Sequence, residues 1–164
     1  EIGSGLVGSE MCIRDSKITD PMVKGIIADC SYTSAWDEFA YQLKNPFGLP
    51  AFPLLYIFDL YCRIICKYSL RDASPIKAVR GAKVPILFIH GAKDALVPVK
   101  MQKELFDACP TQKEMLTVEN AVHAQSYYTD PRAYEAAAEK FINECENTEN
   151  TPALSAPGGG KQIG

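Results

Sequence analysis

Two residues stand where chemistry can be done, and they stand at matching places. Asp94 lies five residues past Ile89, which closes the apolar run Val84-Pro85-Ile86-Leu87-Phe88-Ile89. His123 lies five past Val118, which closes Glu114-Met115-Leu116-Thr117-Val118. Each run reads as a strand, so in a parallel sheet both residues leave the same edge, where reactive groups collect beyond the carboxyl ends of strands. An imidazole there can take a proton from a nucleophile and return it to a leaving group. A partly buried carboxylate beside it fixes the tautomer and stabilises the imidazolium. Two plainer roles stay open: Asp94 can simply cap the loop before Val97-Pro98, and His123 can be a satisfied core residue. His90, just before the Asp94 loop, reads as structural rather than as a second base.

A nucleophile is harder to find. The sequence contains no Gly-x-Ser-x-Gly, the strained strand-to-helix turn that exposes a serine hydroxyl. Ser4 and Ser9 have adjacent glycines but not at the required spacing, and neither follows a strand-like run. The backbone donors of an oxyanion hole have no evident source either. Cys30 ends the first strand-like run on the reactive edge, and a thiolate beside imidazolium is competent chemistry. A cysteine there is better read as a small buried hydrophobe.

The six cysteines do not suggest a metal. Only Cys62 and Cys66 are close, their i,i+4 spacing is not that of a zinc knuckle, and only His90 and His123 could join them. No metal and no cofactor is therefore expected, and Gly-x-Gly-x-x-G is missing, which argues against a dinucleotide enzyme. Reduced thiols fit a cytoplasmic protein. A formal charge of -3 with scattered Lys and Arg argues against a nucleic-acid surface. The most apolar stretch, 51–66, contains Asp59 and Arg63 and falls short of the roughly 20 apolar residues of a membrane span. No secretory leader is recognisable in residues 1–16, and the string 6–16 resembles a translated transposase-type sequencing adapter, so that 1–16 reads as a non-native leader.

The elements that must position the dyad follow from local pattern. Val23–Asp29 is strand-like. Ser34 and Asp37 make a capping box for a helix whose apolar stripe is Trp36, Phe39, Ala40 and Leu43, ended by Asn45-Pro46. Residues 47–80 are crowded with apolar side chains on more than one helix face. They read as a lid over an apolar pocket, with Phe52, Leu55, Tyr56 and Phe58 as candidate substrate contacts. A helix through Met101, Leu105, Phe106 and Cys109 stops at Pro110, and residues 119–128 form a long loop. Asp130 and Pro131 open a last helix with core face Tyr134, Ala137, Ala138, Phe141, Ile142 and Cys145. Alternating strands and helices predict an α/β fold with three parallel strands and right-handed crossovers. The predicted divisions are 1–16, a domain over 17–145, and a disordered tail over 146–164.

Taken together, VKGIIADCSYTSAWDEF (23–39), VPILFIHGAKDALVP (84–98) and ENAVHAQSYYTDP (119–131) resemble the C-terminal half of bacterial α/β-hydrolases of the serine aminopeptidase and cinnamoyl or feruloyl esterase-like group. The resemblance implies a partial α/β-hydrolase fold, with the triad acid at Asp94, the base at His123 and the lid at 47–80. It implies a parent acting on small-molecule carboxylic esters, less readily on amides. The chain itself would be inactive for want of a nucleophile and prone to self-association through uncovered apolar faces. A non-catalytic interaction module using the 52–61 helix is the alternative from a different class.

Overall fold

A computed structural model describes residues 23–147 of the 164. The 1–16 leader and all but the first two residues of the 146–164 tail lie outside the described residues. Three strands, β1 (Ile26–Asp29), β2 (Ile86–Gly91) and β3 (Lys113–Val118), form one parallel sheet in the order β1-β2-β3. Ile26 pairs with Ile86 and Asp29 with Ile89, while Ile86 pairs with Lys113 and Gly91 with Val118. All six residues of β2 are buried, as its unbroken apolar run requires of a central strand covered on both faces.

Period-two alternation divides the core. Ile26, Ala28, Ile86 and Phe88 face the crossover helices α3 (Pro75–Val79) and α4 (Val99–Ala108), meeting Val79, Leu105 and Cys109. Leu87 and Ile89 point the other way, onto Phe141 and Cys145 of α6 (Pro131–Asn147), with Ile27, Leu116, Tyr134 and Ala137 around them. Gly25 lets that helix approach, because a Cβ there would come 2.7 Å from Cys145 Sγ. The last helix opens as expected, with Asp130 accepting from the Ala133 amide at 3.0 Å. It runs to Asn147, two residues past the predicted boundary.

The capping box also forms. Ser34 Oγ accepts from the Asp37 amide at 3.1 Å and donates to its carboxylate at 2.6 Å, starting α1 (Ala35–Lys44). Helix α2 (Leu54–Ile65) packs on α1 through a separate small core of Ala35, Leu55, Cys62 and Leu70. Buried Asp59 ties α2 to the chain after it, accepting from Ser69 Oγ and the Leu70 amide at 2.8 Å each and from Arg63 at 2.9 Å. The long loop after β3 contains a feature not read from the sequence, the single turn α5 (Ser126–Thr129). Four residues are too few to show a helical period.

Candidate active site

The register of β2 and β3 brings two loops side by side. Gly91 and Val118 are the last paired residues, and beyond them the loops stay hydrogen-bonded: the Ala92 amide to the Val118 carbonyl at 3.0 Å, the Lys93 amide to the Ala121 carbonyl at 2.9 Å. Gly91 permits this, since a Cβ there would overlap the backbone of Ala121 and Val122. Asp94 and His123 are thereby held against each other.

Asp94 is shielded from solvent and uses both carboxylate oxygens. Oδ1 accepts from the Leu96 and Val97 amides at 2.9 Å each, so the loop-capping role is real. Oδ2 accepts from His123 Nδ1 at 2.8 Å. A carboxylate can only accept, so the imidazole proton sits on Nδ1 and Nε2 is left to take a proton. The His123 side chain remains 36% exposed, whereas the Asp94 side chain is at 0%. His90 is fully buried and structural: its Nε2 donates to the Val97 carbonyl at 2.8 Å and lies 3.4 Å from Asp94 Oδ2.

Two further groups border the pair. Cys30, at the end of β1, has φ 53°, and Ala124, just after His123, has φ 56°. Both sit in the left-handed region that L side chains avoid, where each such residue costs of order 1–3 kcal/mol and persists only where its surroundings hold it. Here they hold each other, the Ala124 amide donating to Cys30 Sγ at 3.2 Å. Burial pushes the Cys30 thiol up to about 12, with the Asp29 carboxylate adding to the effect and the Ala124 amide opposing it. At neutral pH it is a thiol, which speaks against Cys30 as nucleophile. One donor atom each from Cys30, Asp94 and His123 nonetheless falls within 4.8 Å of the other two.

The second group is Glu38 of α1, which the sequence reading missed. Burial raises its carboxyl above the usual range, and Asp94 adds to this, against the pull of Gln42 and His123. Gln42 Nε2 donates to Glu38 Oε1 at 2.9 Å and to the Leu96 carbonyl at 2.5 Å, fastening α1 to the Asp94 loop. Glu38 lies off the α1 apolar stripe, in a position that sequence alone marks as solvated.

The four candidate lid residues separate. Leu55 is buried at 1% exposure between α1 and α2, whereas Phe52, Tyr56 and Phe58 are exposed. Trp36 meets Tyr56 edge to face at 4.9 Å, and Phe39 meets Phe58 at 5.7 Å. The outward side of α2 also exposes Leu54, Ile57, Leu60, Tyr61, Ile64 and Ile65. Beside it lies an open cavity of about 350 Å³, lined by Tyr56, Asp59, Leu60, Arg63 and Arg71. The charged groups in its wall make it unlike a dry apolar pocket. No described helix is long and apolar enough to cross a membrane.

A family model described as Serine hydrolase (FSH1) matches residues 15–123, a span containing both Asp94 and His123. The chain belongs to that family. It is 30% identical over 122 residues to the uncharacterized protein YqkD of Bacillus subtilis, a match covering 74% of this chain and 40% of YqkD. The fold is similar to that of a Pyrococcus furiosus esterase, at a TM-score of 0.59 and 19% identity over 84% of this chain and 50% of the esterase. It is also similar to Pyrococcus horikoshii acylaminoacyl peptidase, at a TM-score of 0.56 and 16% identity over 91% of this chain and 24% of the peptidase. The chain thus spans half or less of the length of these relatives.

The family match corrects the resemblance drawn from sequence. The matched region, 15–123, is the front and middle of this chain, and the family is FSH1 serine hydrolase rather than the C-terminal half of a serine aminopeptidase or cinnamoyl-feruloyl esterase. The match also enters the 6–16 segment at residue 15, and the comparisons give an adapter origin no support. A short string identity weighs less than one connected match over most of the chain. What stands is a serine-hydrolase-type fold with a clustered Cys30, Asp94 and His123 and no Gly-x-Ser-x-Gly serine.

Proposed function

We propose that Asp94 and His123 are the acid and base of a serine-hydrolase site acting on small-molecule carboxylic esters. The observation that carries this is the 2.8 Å bond from His123 Nδ1 to buried Asp94 Oδ2, with the far ring edge open. In that arrangement His123 Nε2 would accept the proton of an attacking serine hydroxyl and pass it to the leaving alkoxide. Asp94 would hold the ring in one tautomer and stabilise the imidazolium. Glu38 and Gln42 would position the Asp94 loop, and Phe52, Tyr56 and Phe58 would border an apolar acyl or aryl group, with Leu55 anchoring them from below. Amide hydrolysis is the slower variant of the same chemistry. Five free cysteines among the described residues support a reducing, cytoplasmic setting.

The serine is not supplied by a Gly-x-Ser-x-Gly turn of this sequence, and among the described residues no serine hydroxyl hydrogen-bonds His123. This chain by itself is therefore expected to show no acyl-enzyme burst with a nitrophenyl ester and no labelling by a fluorophosphonate. A stoichiometric burst that disappears in His123→Ala would contradict this and reveal a nucleophile within the 164 residues.

The exposed apolar side of α2 favours a second role, as a surface that binds protein, a second copy of this chain included. Sedimentation would show association that weakens when Ile57 and Tyr61 are replaced by lysine. A monomer at all concentrations would remove the self-association part.

A further inference from the structure

Three chemically different donors converge at the sheet rim from three separate loops. Cys30 follows β1, Asp94 follows β2 and His123 follows β3, with a sulfur, a carboxylate oxygen and an imidazole nitrogen mutually within 4.8 Å. Thiolate, imidazole and carboxylate are the donor set of tetrahedral zinc, at bonds of about 2.0–2.3 Å. Bonds of that length at tetrahedral angles put donors about 3.3–3.6 Å apart. Closure on a metal therefore asks each side chain to move by roughly 1 Å. We propose that Cys30, Asp94 and His123 form a site for a thiophilic divalent cation, Zn²⁺ or Cd²⁺, whose binding takes the imidazole and carboxylate out of their proton-transfer geometry.

The surroundings suit such a site. The Cys30 sulfur accepts from the Ala124 amide, and Asp94 is anchored through Oδ1 to two amides, leaving Oδ2 as the available donor. His123 reaches solvent and gives a cation its approach. On binding, the Cys30 thiol releases its proton to water. The imidazole stays neutral, coordinating through one nitrogen with its proton on the other. The bond to Asp94 Oδ2 gives way to metal bonds, and a fourth position remains for water. The sequence hid this grouping because 64 residues separate Cys30 from Asp94 (94 − 30) and 29 separate Asp94 from His123 (123 − 94). Metal binding is read directly and stands apart from the hydrolase assignment; only its consequence for proton transfer rests on that reading.

The test is a Cd²⁺ titration of the reduced, metal-free chain, followed by the ultraviolet sulfur-to-cadmium charge-transfer band and by the ring signals of the two histidines. One equivalent is expected to saturate the band and to shift His123 but not His90. Cys30→Ser and His123→Ala should each weaken binding by about tenfold or more, while Cys66→Ala at an exposed thiol leaves it unchanged. Should Cys30→Ser unfold by circular dichroism, His123→Ala at the partly exposed ring still decides. A band that survives Cys30→Ser, a band lost in Cys66→Ala, or an unmoved His123 would each overturn the site.

Discussion

The rim of the sheet and the α2 layer are built by opposite means. At the rim, Asp94 and Cys30 are fixed by backbone amides, and His123 through the Asp94 carboxylate. Asp94 accepts from two amides, its loop bonds to the His123 loop twice, and Cys30 meets the Ala124 amide. In the α2 layer a few buried anchors, Leu55, Asp59 and Cys62, hold a helix whose other side is exposed and apolar. Directional bonds define positions to fractions of an ångström, as proton transfer needs, whereas apolar contact sets only proximity. The rim thus has the fixed geometry that the proposed proton transfer needs, whereas α2 presents an apolar side held by few anchors.

The two regions each carry a cysteine, and the largest expected difference lies there. Cys30 should alkylate about a thousandfold more slowly than an unperturbed thiol, because its pKa rises from 9.0 to about 12, and far more slowly than exposed Cys66 at the end of α2. Mass spectrometry of iodoacetamide-treated protein at mild alkaline pH checks this, and fast Cys30 labelling would break the contrast. The same shift has a sign for stability. The native state keeps a proton between pH 9.0 and about 12 that the unfolded chain gives up, so stability present below 9 falls as pH rises through that window. Cys30→Ala should flatten that fall in urea titrations.

Removing the anchor of α2 comes next. Leu55→Ala should cost about 2–5 kcal/mol in urea unfolding, since Leu55 is 1% exposed. The rim responds to addition rather than removal. Gly91→Ala should cost about 1–3 kcal/mol and disturb the His123 ring signals, because the new methyl meets the Ala121 backbone, which cannot step aside. A neutral Gly91→Ala would mean that the loops are held less firmly than their bonds indicate. The smallest effect belongs to the outer side of α2, where Ile57→Lys should change stability by less than about 0.5 kcal/mol. That variant should improve solubility, separating the buried and exposed sides of one helix.

The rim was the more legible region in sequence. A near-continuous apolar run announced β2 and a shorter strand-like run announced β3, so both loops could be placed at one sheet edge; the offsets themselves differ, Asp94 lying three residues past Gly91 and His123 five past Val118. The Ser34–Asp37 box was legible for the same local reason. Glu38 and the approach of Cys30 were not, since both depend on where α1 and β1 settle in three dimensions. Residues 47–80 were legible as apolar, but sorting buried Leu55 from exposed Phe52, Tyr56 and Phe58 required the packing partner. Family identity was the least legible, because short motifs weigh less than a connected match over 15–123.

The central claim is that the Asp94 carboxylate holds a proton on His123 Nδ1. Ring-nitrogen NMR of the chain with its two histidines labelled measures this directly at neutral pH. The expected result is a protonated Nδ1 and an unprotonated Nε2 on His123, a preference lost in Asp94→Ala while His90 keeps its proton on Nε2. A His123 protonated at Nε2, or one indifferent to the loss of Asp94, would contradict it.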